Sequence, residues 1–316
     1  MTRNLESRPT TELPPGEVTI RVAYSSLNYK DALAASGNPG VARKLPHVPG
    51  IDAAGTVLES ASPQVPVGAS VLVTGYELGA SHWGGWAELI RVPAKWVVPL
   101  PEGLTLRESM MLGTAGFTAA LGSLLIEHNR ADLPDGPMVV TGATGGVGSL
   151  AVAILSRLGY AVTAVTGKPS AHDVLARLGA TQIVGRESVV DDFDRPLLSA
   201  RWAGGVDTVG GTMLGSIIRA TMPGGCVTAC GLVGGTDLPI TVYPFILRGV
   251  MLLGINSAGC QQPRRSVVWQ KLAGPWKPPG LEELTREVAL DELEPAIAEI
   301  LAGRIVGRTL VRVSGA

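Results

Sequence analysis

The sequence predicts an α/β protein of two domains, in which a doubly wound parallel sheet is inserted into a β-rich domain. The chain has 316 residues, more than one hydrophobic core usually supports. Short runs rich in Val, Ile and Thr, separated by Pro and Gly, fill roughly the first 110 residues. Strands and helices then alternate, as is typical of a parallel sheet covered on both faces. We therefore expect one domain over residues 1–112 and 257–316 and the other over residues 113–256.

The first domain begins with short stretches whose composition predicts strands. These are GEVTIRVAYSSL, AGTVLES, ASVLVTGYE, WAELIRV and KWVVPLP. From Leu106 the apolar residues of RESMMLGTAGFTAALGSLL recur at helical spacing, although Gly113 and Gly116 weaken this helix.

The inserted domain alternates between strand and helix patterns. Strands are predicted over 137–142, 161–167, 181–184, 205–211, 224–231 and 249–256, and helices over 147–159 and 170–180. The last of these strands, GVMLLGIN, would be an apolar sheet edge, so we expect a homodimer to cover it. After it, RSVVWQKL, LEELTREVAL and ELEPAIAEILAG predict helices, and RTLVRV predicts a final strand.

Composition excludes several functions. The net charge of −1 offers no basic face for nucleic acid. The polar, proline-rich N-terminus does not resemble a signal peptide, and the least charged region, 139–167, is broken by glycines and Arg157, so we expect no membrane span. The three cysteines lie in the second half of the chain and fit buried thiols in a reducing cytoplasm.

A glycine turn, TGATGGVG at 141–148, lies between a buried strand and an apolar helix. Ala143, Gly145 and Gly148 occupy the positions of the Gly-x-Gly-x-x-Gly fingerprint; Gly145 would let phosphates approach the backbone, and Gly148 would let the helix pack closely. The amides expected to face a pyrophosphate at the helix N-terminus belong to Thr144, Gly145, Gly146 and Val147. The alternative is a plain strand-to-helix turn. In this context the pattern predicts a dinucleotide-binding Rossmann domain.

The second strand of this domain ends in Thr166-Gly167-Lys168, where an acidic residue usually binds the adenosine ribose. A carboxylate there would repel a 2′-phosphate. A hydroxyl, an open backbone amide and a cation instead suit the phosphate of NADP, and Arg186 after the third strand could add a second charge. Both cations could also be solvated surface residues. We predict NADPH as the cofactor.

Several stretches resemble the medium-chain dehydrogenase/reductases. They are SSLNYKD (25–31), VPGIDAAG (48–55), HWGGWAE (82–88), GTAGFTAA (113–120), DTVGG (207–211), ACGLVGG (229–235), PFILRGV (244–250) and GRTLV (307–311). More narrowly, the chain is similar to the zinc-free acryloyl-CoA reductases, once grouped with the quinone oxidoreductases. The resemblance runs from about Leu13 to the C-terminus and implies a GroES-like β-domain, a Rossmann domain and NADPH-dependent reduction of an activated C=C bond. Members usually begin with a further β-strand, and we expect this chain to start after it.

Residue types argue against a metal. Zinc-dependent relatives bind the metal with Cys, His and Glu or Asp. Where they carry Gly-His-Glu, this chain has Gly50-Ile51-Asp52, and no cysteine precedes Cys226. The four histidines are scattered along the chain. We therefore expect no metal site.

Without a metal, hydrogen-bond donors must stabilise the oxyanion that forms when hydride reaches the β-carbon of an unsaturated thioester. The resemblance places Tyr29 beside the nicotinamide, and its neighbour Asn28 is the candidate polar partner. The proton for the α-carbon could come from Tyr29 or from water. The alternatives are a helix cap for Asn28 and a packing role for the Tyr29 ring. Asp52 and Lys30 could form a structural ion pair or act in catalysis.

The resemblance also places Leu232, Ile246 and Ser257 along the nicotinamide half of the cofactor site, although each equally fits core packing or a turn. Arg264 and Arg265, at a predicted helix start, could meet CoA phosphates or be solvated. We predict reduction of a short enoyl-CoA, with acryloyl-CoA converted to propanoyl-CoA. A quinone or small enone reductase and a non-catalytic NADPH-binding protein remain as alternatives.

Overall fold

The computed structural model describes residues 2–192 and 195–313, apart from the side chain of Ala131. The chain divides into two compact units. The first comprises residues 1–114, 257–273 and 281–316, and the second comprises residues 115–256 and 274–280. These units differ from the expected boundaries at two places. Residues 113–114 belong to the first unit and not to the second, and residues 274–280 belong to the second unit and not to the first.

The strands in chain order are β1 (Val18–Leu27), β2 (Asp52–Ser60), β3 (Ser70–Thr74), β4 (Leu89–Val92), β5 (Val98–Pro99), β6 (Met138–Val140), β7 (Val162–Val165), β8 (Ala180–Val184), β9 (Trp202–Asp207), β10 (Thr221–Ala229), β11 (Met251–Gly254), β12 (Thr285–Ala289) and β13 (Arg308–Arg312). The helices are α1 (Tyr29–Ala35), α2 (Leu106–His128), α3 (Gly146–Arg157), α4 (His172–Arg177), α5 (Gly211–Arg219), α6 (Tyr243–Arg248), α7 (Arg264–Ala273), α8 (Leu281–Leu284) and α9 (Leu293–Leu301).

The first unit is built on a seven-stranded sheet of order β12-β13-β1-β2-β3-β5, with β4 also paired to β1. All of these pairs are antiparallel except β12–β13, which is parallel. The inward-facing Val18, Ile20 and Val22 of β1 are almost completely buried in the core of this sheet. Alternation of apolar side chains along β1 therefore places one face of the sheet in a core.

One prediction for this unit was wrong. The stretch LEELTREVAL forms only the short helix α8, and from Thr285 it becomes β12, which pairs with β13. The β-branched Thr285 and Val288 suit a strand, and an available sheet edge decides between the two conformations. The predicted helix over ELEPAIAEILAG is present as α9, whose Leu293 and Ile297 pack against Leu27 of β1.

The second unit contains a six-stranded sheet of order β11-β10-β9-β6-β7-β8. All of its neighbouring strands are parallel. The chain order reverses between β6 and β9, which makes their carboxyl ends the topological switch point where such sheets bind ligands. Within residues 2–192 and 195–313, β11 pairs only with β10 and lies at one edge of the sheet.

Helix α2 contains a break at Gly113, whose φ of 51° and ψ of −154° are non-helical. A Cβ atom on Gly113 would lie 2.6 Å from a carboxylate oxygen of Asp52, so the position requires glycine. Among the described residues, α2 is also the one helix long and apolar enough to cross a membrane. Of its most apolar window, 89% is buried inside the protein, as in a core helix.

Candidate functional site

The glycine turn has the geometry of a phosphate cradle at the switch point. Gly145 is the N-cap of α3, and no side chain in the described part of the chain caps this helix. A Cβ on Gly145 would meet only the Gly142 carbonyl, at 3.3 Å, so this side of the turn is open. A Cβ on Gly148 would lie 2.2 Å from the Gly142 oxygen, so the close packing of helix and strand requires this glycine. Both glycines therefore fit the roles their positions predict.

The amides of the turn are not equivalent. The Gly145 amide donates to the Gly142 carbonyl at 2.8 Å and is already engaged. The amides of Gly146 and Val147 lie in the first turn of α3, where backbone N–H groups lack partners within the helix. These two amides therefore suit an anion better than that of Gly145.

The side chains of Thr144, in the glycine turn, and Thr166, after β7, lie next to each other. The Thr166 hydroxyl lies 3.4 Å from that of Thr144 and accepts a hydrogen bond from the Lys168 amide at 3.0 Å. Both side chains are largely buried. Thr166 therefore braces the end of β7 against the glycine turn.

Lys168 and Arg186 lie close together beyond β7. The Nε atom of Arg186 would be only 3.2 Å from a Cβ on the exposed Gly167. Burial lowers the pKa of the Lys168 ammonium, and the nearby Arg186 charge lowers it further. Two like charges beside an exposed backbone segment form a local positive field that favours an anion.

The other predicted cofactor residues lie in two loops and on helix α6. Leu232 is 62% exposed and Ile246, on α6, is 67% exposed, so neither is a core residue of its unit. Ser257 is partly buried, and its carbonyl accepts a hydrogen bond from Arg265 at 3.0 Å.

In the first unit, two buried aspartates converge on Asn28. The Asp31 carboxylate accepts hydrogen bonds from the backbone amides of Gly50 at 3.1 Å and Ile51 at 2.7 Å through Oδ1. Its Oδ2 accepts the Asn28 backbone amide at 2.8 Å, which fixes the start of α1. Asp31 thus joins α1 to the strand-entry segment at Gly50.

Asp52 accepts a second set of hydrogen bonds. Thr114 donates its amide at 2.9 Å and its hydroxyl at 2.6 Å, and Ser26 donates its hydroxyl. Lys30 is exposed and is absent from the described partners of Asp52. The proposed ion pair between Asp52 and Lys30 is therefore wrong.

The Asn28 side chain is held on every side. Its amide nitrogen donates to Asp52 Oδ2 at 2.8 Å and to Asp31 Oδ2 at 3.1 Å. Its carbonyl oxygen accepts from Arg308 Nη1 at 3.3 Å. The Ser26 hydroxyl also lies 3.1 Å from the amide nitrogen of Asn28. Because three acceptors surround its two amide protons, Asn28 has no proton left for a substrate oxygen.

Arg308 is buried behind this asparagine. Its Nε donates to the Met111 carbonyl at 2.8 Å, and its Nη2 has no hydrogen-bond partner among the described residues. Burial lowers the pKa of this guanidinium, and the charges of Asp52 and Asp31 oppose that effect. Arg308 therefore supplies the positive charge of a buried cluster that comprises Asn28, Asp31, Asp52, Thr114 and Arg308.

Burial and the neighbouring Asp52 raise the pKa of Asp31 to about 7. The hydrogen bonds from Asn28 and Ile51 act in the opposite direction. Burial and the Asp52 charge therefore oppose ionisation of Asp31, and the N–H groups that donate to its oxygens favour it.

Tyr29 follows Asn28 directly as the first residue of α1 and is 42% exposed. Its ring is therefore not a core element. The buried cluster fixes the backbone at Asn28 and therefore the position of the exposed Tyr29 side chain that follows it.

The structure overturns one suggested role for Arg265. Its side chain is completely buried and donates to the carbonyls of Thr74, Ser257, Ala258 and Cys260. Its guanidinium also lies 4.3 Å from the centre of the Tyr76 ring. A side chain used in this way cannot reach CoA phosphates. Arg264, its neighbour, is exposed.

The sequence patterns missed three members of the buried cluster, Asp31, Thr114 and Arg308. Each lies in a stretch that carries the family resemblance, but nothing in the local spacing indicates that they meet. A charged residue opening the apolar strand RTLVRV was the one available signal for Arg308.

No group of three or more His, Cys, Asp and Glu side chains within residues 2–192 and 195–313 is arranged to hold a metal ion. Metal independence stays a prediction.

Family comparisons match both units. Residues 14–102 match the alcohol dehydrogenase GroES-like domain, and residues 146–273 match the zinc-binding dehydrogenase family. The chain belongs to the medium-chain dehydrogenase/reductases, in the subgroup that contains acryloyl-CoA reductases and quinone oxidoreductases. The predicted fold, a GroES-like domain with a Rossmann domain, is thereby confirmed, and the chain is an oxidoreductase.

Individual relatives are similar over nearly their whole length. Acrylyl-CoA reductase AcuI of Ruegeria pomeroyi is 48% identical over 304 residues, covering 96% of this chain and 92% of the relative. YhfP of Bacillus subtilis, whose name assigns it to the quinone oxidoreductases, is 47% identical, and a structure of YhfP with NAD bound superposes with a TM-score of 0.93. The structure of Escherichia coli YhdH with bound NADPH superposes with a TM-score of 0.94 at 45% identity, covering 98% of this chain and 95% of that one.

Proposed function

We propose that this enzyme uses NADPH to reduce the C=C bond of a short enoyl-CoA, with acryloyl-CoA converted to propanoyl-CoA as the preferred reaction. The observation that carries the proposal is the 48% identity to a named acrylyl-CoA reductase across 96% of the chain. The proposed roles of Tyr29 and of the glycine turn are consistent with such a reaction.

NADPH fits the second unit. The open side of Gly145 and the amides of Gly146 and Val147 would hold the pyrophosphate. Lys168 and Arg186 would hold the 2′-phosphate, and Leu232, Ile246 and Ser257 remain proposed contacts of the nicotinamide half. One relative binds NAD in its structure and another binds NADPH. The adjacent cations favour NADPH here, because NADH carries no 2′-phosphate for them to neutralise.

NADPH, when bound, supplies a hydride to the β-carbon of the unsaturated thioester. The π electrons then move to the thioester oxygen, and the α-carbon gains a proton to give the saturated product. The protein must therefore stabilise the oxygen and deliver one proton.

Tyr29 is the proposed catalytic side chain. Tyr29 is 42% exposed, and its hydroxyl can donate a hydrogen bond to the thioester oxygen; the α-carbon proton comes from Tyr29 or from water. Asn28 was a second catalytic candidate, but both of its amide protons point at Asp31 and Asp52. We therefore assign Asn28 to positioning Tyr29, with Arg308 holding the carbonyl oxygen of Asn28.

A three-carbon acyl group is small, so most of the binding energy must come from the rest of the substrate. The pantetheine arm and phosphates of CoA offer it, and remote binding can raise kcat at the reacting carbon. Of the two adjacent arginines at the start of α7, only Arg264 is exposed enough to meet a phosphate.

Reduction of quinones or small enones is the second candidate, favoured by the 47% identity to YhfP. The test compares kcat/KM for acryloyl-CoA, free acrylate, crotonyl-CoA and a benzoquinone, each with NADPH. Acryloyl-CoA should lead by orders of magnitude, and a quinone that matches it would overturn the assignment. Tight NADPH binding without turnover of any of the four would instead favour a non-catalytic NADPH-binding protein.

We also propose a homodimer formed through the edge of the second sheet. Among the described residues, strand β11 pairs on one side only, and the segment that precedes it exposes several large apolar side chains: Val233, Val242, Tyr243 and Leu247. Light scattering at micromolar concentration should give twice the chain mass of 32.7 kDa. A cytoplasmic location stays a prediction from the three free cysteines.

A further inference from the structure

Asp207 ends β9 at the switch point of the second sheet, and its side chain is completely buried. Its Oδ1 accepts the Thr141 hydroxyl at 2.7 Å. Its Oδ2 accepts the backbone amides of Gly210 at 2.7 Å and Val209 at 3.3 Å. One carboxylate therefore takes hydrogen bonds from the loops that follow two neighbouring strands, β6 and β9.

Thr141 also links the two loops through hydrogen bonds with Thr208. Its hydroxyl donates to Asp207 and accepts the Thr208 amide at 2.9 Å. The Thr208 hydroxyl in turn donates to the Thr141 carbonyl at 2.9 Å. The three residues fix the entry to the glycine turn against the loop after β9.

The next residue, Gly142, transmits this arrangement to the turn. A Cβ on Gly142 would lie 2.3 Å from the Thr208 hydroxyl, and its φ of 54° favours glycine. The Gly142 carbonyl is the acceptor for the Gly145 amide and the atom against which Gly148 packs. The position of Gly142 therefore sets the position of the whole turn.

A third loop is tied to the same aspartate. The Asp207 carbonyl accepts the Cys230 amide at 3.0 Å, and the Val209 carbonyl accepts the Gly234 amide at 2.7 Å. A Cβ on Gly231 would lie 1.8 Å from the Thr208 carbonyl, so the two backbones touch. Loop 230–235 carries Leu232, which we propose contacts the nicotinamide half of the cofactor.

We infer that Asp207, acting through Thr141, is a positioning residue for the nicotinamide dinucleotide. It holds the pyrophosphate turn and the Leu232 loop in register with each other without touching the cofactor. The inference rests on the proposed function for the identity of the cofactor. It assigns a structural role to the first residue of the DTVGG stretch.

Asparagine cannot replace this aspartate, because every group that faces the carboxylate is a donor. If its oxygen faces Gly210, its NH2 group faces the Thr141 hydroxyl, which then loses its acceptor. If its oxygen faces Thr141, its NH2 group opposes the Gly210 amide. Either orientation leaves a buried donor unsatisfied.

The experiment measures Kd for NADPH and for NADH by fluorescence titration of the full chain. Asp207→Asn should weaken both about tenfold or more and leave their ratio unchanged, because the turn binds what the two nucleotides share. Thr141→Val should reproduce the loss, and Thr141→Ser, which keeps the hydroxyl, should bind within about twofold of wild type. Asp191→Asn, a partly buried aspartate of the same unit that pairs with Arg219, is the control for loss of a carboxylate.

The outcomes distinguish a failure of the cofactor assignment from a failure of the role inferred for Asp207. A wild-type chain that binds neither nucleotide sinks the cofactor assignment and this inference with it. A wild-type chain that binds NADPH, with Asp207→Asn and Thr141→Val binding equally well, overturns the inference alone. Should Asp207→Asn fail to fold, the comparison of Thr141→Val with Thr141→Ser decides, and equal affinities for these two would refute the role.

Discussion

Replacing Lys168 by glutamate tests how the second unit selects its cofactor. Lys168 and Arg186 lie together beyond β7, where related dinucleotide sites carry an acid. A glutamate would remove one cation and introduce the group that binds a free ribose. It would also be placed to pair with Arg186 and so to withdraw the second cation from a phosphate.

The expected loss follows from these contacts. Removing a charge-assisted hydrogen bond and adding repulsion costs about 2–3 kcal/mol, or roughly 30- to 150-fold in Kd. Pairing of the new carboxylate with Arg186 moves the effect toward the upper end of this range. NADH, which lacks the 2′-phosphate, should bind to the variant within about twofold of its affinity for wild type.

The assay is a fluorescence titration of both nucleotides with wild type, Lys168→Glu and Arg177→Glu. Arg177 is the last residue of α4, nine positions after Lys168, and gives the same change of charge in the same unit. Raising the salt concentration should shrink the effect, because exposed charges are screened. An NADPH/NADH affinity ratio unchanged from wild type would refute the assignment of Lys168.

Three further perturbations test the first unit. Tyr29→Phe should lower kcat by roughly 10²-fold with little change in KM for NADPH; a wild-type kcat would return Tyr29 to a packing role. Prolonged EDTA treatment should leave the rate unchanged, and a chelator-sensitive rate restored by zinc would contradict the interpretation of Gly50-Ile51-Asp52. Because Asp31 holds its proton up to about pH 7 in the folded chain and loses it near 3.8 when unfolded, its contribution to stability falls as the pH rises from about 4 to 7. Asp31→Asn cannot titrate, so the thermal midpoint of wild type relative to Asp31→Asn should decrease between pH 5 and pH 7; a constant difference would show that Asp31 is ionised throughout.

Much of the second unit could be predicted from local sequence. The strands at 161–167 and 181–184 and the helix at 147–159 all form, because short apolar strands bounded by glycine fit a sheet buried on both faces. The glycine turn was recognisable because its neighbours on both sides had the right pattern. LEELTREVAL was misassigned because its second half is a strand only by pairing with β13, some 20 residues further on.

The buried cluster could not be predicted in this way. The hydrogen bond between Asn28 and Arg308 joins residues 280 positions apart. In the local sequence, Asp31 is an acidic residue in the first turn of a helix, and Asp52 is the first residue of a strand. Only the folded chain brings the two carboxylates together. Their position explains why Asn28 positions another group and does not donate to the substrate.

Arg264 and Arg265 show that helical phase can be the better guide to a role when residue type points the other way. Two adjacent arginines at a helix start suggested a phosphate site. Yet Arg265 is in phase with Val268, Trp269 and Leu272, which form the buried face of α7. A residue at i in a pattern continued at i+3, i+4 and i+7 lies on the apolar side of the helix whatever its charge. Arg265 accordingly points inward and finds backbone carbonyls, while Arg264, one step out of phase, faces solvent. Helical phase therefore decides which of two neighbouring cations can meet a ligand, and Arg264 is the one whose substitution should affect CoA substrates without disturbing the fold.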